Sequence, residues 1–252
     1  MPRETTPKPL LVLQGEMMHQ SLPSVGAVYG DTGEVILRGL AIDDRPATVV
    51  MVCEDEPLPP LEEVSGVVMS GAAVMVADPI PWIGRTADYL RAAVEAGVPT
   101  LGLCFGHQLL AKTFGGHVAP LEAGPEYGTV TIERTAESAG DAMLGQAPAR
   151  FLAQSAHHQI VVTPPPGAVV LARNANGVQA LRFGDAAWGV QFHPEFDDGL
   201  NRLIIEAIAD KLAGLGVDTP ATLAALTPSP DAAAVLRRFG AVLRARAAAK
   251  AA

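Results

Sequence analysis

Aromatic residues make up only 5% of this 252-residue chain, and cysteine occurs just twice, at Cys53 and Cys104. So few rings leave Ala, Val, Leu and Ile to build the core, a composition that suits a buried parallel sheet covered by helices. Two cysteines that far apart make no disulfide framework, so a reducing cytoplasm is the expected compartment. Basic residues are scarce as well: 18 Lys and Arg against 27 Asp and Glu, a formal net charge of −9. No Lys- or Arg-rich tract precedes the C-terminal tail, which argues against a nucleic-acid or anionic-membrane surface. There is no run of 18 apolar residues, so no membrane span is expected. The apolar run from Leu10 to Leu13 is too short for the core of a secretory leader and lacks a small-residue cleavage site after it.

What is present is an alternation of short apolar runs with longer segments of helical period, the signature of βαβ units. Strands are expected at 10–14, 47–53, 66–71 and 99–103. Between the last two, Ile83, Ala87, Leu90 and Val94 recur at three- and four-residue spacing, with Pro81 near the start and Gly97 near the end of the implied helix. Asp31 and Glu34 have the spacing of a capping box before a helix over 31–40. Beyond residue 116 the pattern becomes β-like, with strands expected at 128–133, 150–154, 168–174, 178–184 and 186–192. A closing helix follows over 199–216. The fold class is therefore α/β: an open, mostly parallel twisted sheet with helices on both faces. Residues 1–215 form the expected domain and 216–252 a C-terminal helical extension, set off by Thr-Pro-Ser-Pro at 227–230. In the extension Val235, Leu236, Phe239, Val242 and Leu243 share one helical face, and Asp231 is the expected N-cap.

The chemistry is concentrated in "GLCFGHQLLA", residues 102–111. Cys104 falls between a strand and a segment of helical spacing, flanked by Gly102 and Gly106. A nucleophile on a tight strand-to-helix turn projects out of the sheet, and small flanking residues relieve the crowding there. The helix that begins just after the sulfur points the positive end of its dipole at it. The alternative is an inert buried cysteine, as expected of Cys53. A thiolate that cleaves an amide also needs a proton carrier for the departing amine. Of six histidines, His19 belongs to an expected loop and His117 to a short strand. His193, in "VQFHPEF", stands at the C-terminal end of an expected strand, where sites assemble in open α/β sheets. Pro194 keeps His193 extended, so Glu195 faces the same way and can orient the imidazole.

These two motifs, about ninety residues apart, resemble class I glutamine amidotransferases of the Cys-His-Glu type, over roughly residues 9–213. Within that family the chain is most similar to stand-alone relatives of the GMP synthase amidotransferase domain. The resemblance implies a flavodoxin-like fold, Cys104 as nucleophile, His193 as general acid/base and Glu195 as its orienting carboxylate. It makes the backbone amides of Gly71 and Phe105 the oxyanion hole and Gln108 a substrate contact. In "QSAHHQIVV", His157 and Gln159 align with the family's substrate-contacting His and Asp, and His158 is expected to point away by strand periodicity. Glu126 and Gly128 match a family strand start of undefined role. Two departures stand out. Ala72 and Ala73 follow Gly71 where the family has Gly and Pro, and Gln159 replaces a carboxylate.

The activity this implies is attack of Cys104 on the γ-carboxamide of glutamine, forming a glutamyl thioester and releasing ammonia, with no metal or organic cofactor. No synthetase loop is recognisable, and only about forty residues follow position 213. Ammonia would pass to a separate synthetase subunit, or the chain is a free-standing γ-glutamyl peptidase or hydrolase. A catalytically silent regulatory or binding module is the reading from another class, and an intact Cys104, His193 and Glu195 speaks against it. A hydrolase whose His directly follows its Cys fits less well, because His107 lies three residues past Cys104. Expected partners are glutamine or a γ-glutamyl compound, with a synthetase subunit or a second copy of the chain left open.

Overall fold

A computed structural model describes residues 7–251, so the N-terminal leader reading and the outer ends of both expected domains fall partly outside the described residues. Strand β1 (Leu10–Gln14) is buried along its whole length. Its alternation sends Leu10 and Val12 to one apolar cluster and Leu11 and Leu13 to the opposite one. Two short helices not foreseen from periodicity follow, α1 (Met18–Ser21) and α2 (Pro23–Tyr29). His19, expected in a loop, lies in α1 and pairs with Asp31 at 2.6 Å. Helix α3 (Thr32–Leu40) opens on the expected capping box: Asp31 caps the Glu34 amide, and the Glu34 carboxylate takes the Asp31 N–H at 2.9 Å.

The parallel half continues with β2 (Ala47–Met51), β3 (Gly66–Met69), α4 (Pro81–Glu95), β4 (Thr100–Leu103) and α5 (Phe105–Thr113). Then come β5 (His117–Pro120), β6 (Glu126–Arg134), β7 (Arg150–His157), β8 (Gln159–Thr163), β9 (Val169–Asn174), β10 (Gly177–Phe183) and β11 (Ala187–Val190). The chain closes with α6 (Asp198–Ala207), α7 (Ala209–Gly214), α8 (Thr219–Ala224) and α9 (Pro230–Ala251). The expected closing helix is thus two pieces, broken at Ile208 (φ −115°, ψ 19°) without proline or glycine. Helix α9 begins at Pro230, so Asp231 sits inside the first turn rather than at the cap, as proline at the first helical position dictates.

Among the described residues, nine strands form one open sheet in the order β2-β1-β3-β4-β11-β10-β9-β6-β7, and β5 pairs with β8 apart from it. Strands β2, β1, β3, β4 and β11 run parallel, and the sheet is extended by the antiparallel β10, β9, β6 and β7. Helices cover both faces. Ile36 and Leu40 of α3 and Val235, Leu236 and Phe239 of α9 pack with Leu10, Val12 and Val68 on one side. Trp82, Ile83 and Leu90 of α4 and Phe105, Leu109 and Leu110 of α5 pack with Leu11, Leu13 and Met69 on the other. Among the described residues no helix is long and apolar enough to cross a membrane. The C-terminal ends of β1, β3, β4 and β11 point the same way, and the segments leaving them converge on one cavity.

Candidate active site

Cys104 links β4 to α5 at φ 48° and ψ −101°, a conformation costly for a residue with a Cβ. Close approach explains both neighbouring glycines. A methyl on Gly102 would stand 2.4 Å from the Gly106 carbonyl group, and one on Gly106 would stand 2.4 Å from the Met69 carbonyl oxygen. The turn is therefore pressed against both itself and β3. Phe105 opens α5, so its N–H has no acceptor within the helix. Across from it runs the loop after β3. Ser70 accepts the Gly15 N–H at 2.9 Å and donates to the Gly71 carbonyl at 2.7 Å, which fixes the loop. A methyl on Gly71 would stand 3.1 Å from His193 Cε1 and 3.8 Å from Cys104 Cβ, so this glycine borders both.

Strand β11 ends at Val190 instead of 192, and His193 lies three residues beyond it. There it is held by a single bridge to Gln154, whose carbonyl accepts the His193 N–H at 2.8 Å. The alternation across Pro194 survives: His193 Nδ1 and Glu195 Oε1 are 2.7 Å apart, with the carboxylate fully enclosed. Phe196 stacks flat on the imidazole, ring centroids 4.0 Å apart. Burial opposes a charge on this ring, but the neighbouring Glu195 and Cys104 outweigh it and push the His193 pKa up to about 10. The ring can thus hold a proton at neutral pH beside the sulfur. His107 behaves in the opposite way. It is fully buried, its ring nitrogens have no hydrogen-bond partner, and it packs against Gly189. Burial, helped by the charge of His157, pushes its pKa down to about 3, leaving it a neutral core residue.

Gln108 sits one turn into α5. Its Nε2 donates both to the Gln159 carbonyl at 2.8 Å and to Gln191 Oε1 at 3.0 Å. Gln191 in turn points its Nε2 at Cys104 Sγ, 3.5 Å away. The motifs assign Gln191 no role, although it lies two residues before His193, just past the end of β11. They leave Glu126 open as well. It is buried and lies directly opposite His157 in the β6–β7 ladder. Its carboxylate accepts from His157 Nε2 at 3.0 Å, Asn174 at 2.8 Å, Ser155 at 3.1 Å, Gln179 at 3.4 Å and also Asn176. Burial disfavours its charge, yet these donors prevail and its pKa is lowered.

His157, expected to contact substrate, has both nitrogens engaged inside the protein, Nδ1 facing the Gln159 carbonyl at 2.9 Å and Nε2 facing Glu126. His158 does not turn away. β7 ends at His157, so strand alternation stops there, and His158 lines the cavity with its Nε2 3.0 Å from the Tyr127 hydroxyl. Gln159 lines it too, with a buried and unpartnered Oε1. The cavity measures about 310 Å³ and reaches Cys104, Gly71, Phe105, Gln108, His193 and Glu195. That volume is at the lower end of small-molecule sites, about 300–1,000 Å³.

Known proteins resemble this chain in sequence and in fold. The family described as "Glutamine amidotransferase class-I" matches residues 31–208. One subunit of the glutamine-hydrolysing GMP synthase of Sulfolobus acidocaldarius is 36% identical over 148 residues, 58% of this chain and 75% of that protein. The corresponding GMP synthase polypeptide of Saccharolobus solfataricus is 34% identical over 175 residues, 68% of this chain and 88% of that protein. The glutamine-hydrolysing GMP synthase of Thermomicrobium roseum is 42% identical over 131 residues, but the match spans only 23% of its length. Among solved structures, a glutamine amidotransferase from Thermotoga maritima superposes with a TM-score of 0.74 at 21% identity, covering 95% of this chain and 99% of that one.

Proposed function

The chain belongs to the class I glutamine amidotransferase family, and from that premise we propose that it hydrolyses the side-chain amide of glutamine through Cys104 and passes the ammonia to a separate synthetase. The Cys104 thiolate attacks the amide carbon, forming the C–S bond. The amides of Gly71 and Phe105 receive the negative charge that develops on the oxygen, a contribution of about a hundred- to a thousandfold in rate per donor. As the tetrahedral intermediate collapses, the C–N bond breaks and His193 gives its proton to the departing ammonia. His193 then takes a proton from water, whose oxygen displaces the sulfur and releases glutamate. Glu195 orients the ring and supports its positive charge throughout. Gln108 and Gln159 line the substrate side of the same cavity. The observation that carries this reading is the convergence on one cavity of the strained Cys104, the His193–Glu195 pair at 2.7 Å and Gly71.

A second reading draws on the wall beside His193. Phe196, stacked on the acid that protonates the leaving nitrogen, continues into Met18, Leu22, Ile204 and Ile208, all bordering the cavity. Free ammonia has no use for an apolar wall, whereas a γ-glutamyl amide with a carbon substituent on nitrogen would bury that substituent there. One assay separates the readings: glutamate release from glutamine, from γ-glutamyl-methylamide and from γ-glutamyl-butylamide. Turnover of glutamine, abolished by Cys104→Ala and raised by an added synthetase, is the expected result. A preference of tenfold or more for the butylamide over the methylamide would favour the second reading. Wild type no more active than Cys104→Ala on all three would end both.

A further inference from the structure

We propose that Glu126 is a positioning residue for this site: by holding the His157 ring it fixes the Gln159 carbonyl and, through it, the Gln108 carboxamide that faces the substrate. The proposal rests on the reading of Gln108 as a substrate contact.

Both ring nitrogens of His157 face oxygens, Glu126 Oε2 at 3.0 Å and the Gln159 carbonyl at 2.9 Å. Its ring is almost wholly enclosed, so these two contacts set its orientation, and Glu126 is the carboxylate in contact. The carboxylate is itself held by Ser155, Asn174, Asn176 and Gln179, donors from β7, from the β9–β10 turn and from β10. That many partners on one buried acid fix it in place as well as satisfy it.

The other end of the chain of bonds lies in the cavity. The Gln159 carbonyl that receives His157 Nδ1–H also receives Gln108 Nε2 at 2.8 Å, and the second Nε2 hydrogen goes to Gln191 Oε1 at 3.0 Å. With both amide hydrogens committed, the Gln108 oxygen is the group left for a ligand. Gln191 closes the series on Cys104 Sγ at 3.5 Å. In Glu126→Gln the carboxylate that His157 Nε2 faces is gone, the ring is no longer held from that side, and the carbonyl that orients Gln108 is loosened.

Glutamine binding and turnover test this. Glutamine affinity, measured on the inactive Cys104→Ala protein and on Cys104→Ala/Glu126→Gln, should weaken about tenfold, the size of one lost hydrogen bond to a charged group. In the active background KM should rise by the same factor with kcat within about threefold, and Glu126→Asp, which keeps the charge, should restore both. His157→Leu is the second variant, read by the same affinity shift if Glu126→Gln does not fold. Unchanged affinity in a folded variant would overturn the inference while wild-type turnover of glutamine still stands. A wild type without turnover would instead strike the functional reading, and glutamine affinity of the Cys104→Ala pair would still report on Glu126.

Discussion

Cys104 holds a backbone conformation that glycine adopts without cost, since φ is 48° and only the absence of a Cβ removes the clash. Cys104→Gly should therefore be inactive yet more stable than the parent by about 1 kcal/mol in urea titrations; equal or lower stability would show the turn to be relaxed as it is. The His193–Glu195 pair makes stability depend on pH. The folded pKa of His193 is raised from 6.5 to about 10, so its contribution is complete below about 6.5 and is lost as pH rises through 10. Glu126 has a lowered pKa, so its contribution is complete above about 4.5 and is lost as pH falls through the lower folded value. Thermal unfolding should accordingly show a loss on the alkaline side that Glu195→Gln reduces. Glu195→Gln with an unaltered alkaline limb would contradict the pairing. Cys104, His193 and Glu195 could be proposed from sequence because each sits in a short motif whose local geometry, a turn or an extended pair, sets its direction. Glu126 was not, because its partners lie 29 to 53 residues away in sequence and meet it only through strand pairing.

Helix α9 covers one face of the sheet with Val235, Leu236, Phe239 and Leu243, none more than 1% exposed. Four such side chains contribute about 1.5–3 kcal/mol each, a sum comparable with the whole stability of a domain, about 5–15 kcal/mol. The extension beyond residue 215 is thus proposed to be part of the domain's core, and ending the chain at Ser229 should yield insoluble or unfolded protein. Soluble truncated protein with unchanged thermal unfolding would refute that. Gly102→Ala places a methyl 2.4 Å from backbone atoms of Gly106, which cannot swing aside as a side chain would. It should cost more than about 3 kcal/mol, measured by denaturant unfolding, and Gly84→Ala, which meets nothing within 4 Å, serves as its control. Apart from β8, periodicity found the strands and the long helices to within a few residues. It missed β8, α1, α2 and α8, which are too short to repeat, and the break at Ile208, where no residue type marks the interruption.

The molecule is tied together at Gln154, fully buried on β7. Its carbonyl anchors His193, its Nε2 donates to the Thr227 carbonyl at 2.8 Å ahead of α9, and its Oε1 accepts from Asn201 of α6 at 2.9 Å. Parallel half, antiparallel half and C-terminal helix meet there. Circular dichroism and tryptophan fluorescence should therefore report one coincident unfolding transition, and separated midpoints would show that the halves melt independently. Local pattern was enough for the α/β class, the covered parallel strands and the three residues proposed to carry the chemistry, because burial periodicity and turn chemistry act between near neighbours. The antiparallel continuation of the sheet, the engagement of His157 within the protein, the turn of His158 toward the cavity and the series from Glu126 to Cys104 came from the fold. Each depends on which distant strands lie side by side, and pairing between strands is a cooperative outcome of the whole chain that no short stretch encodes.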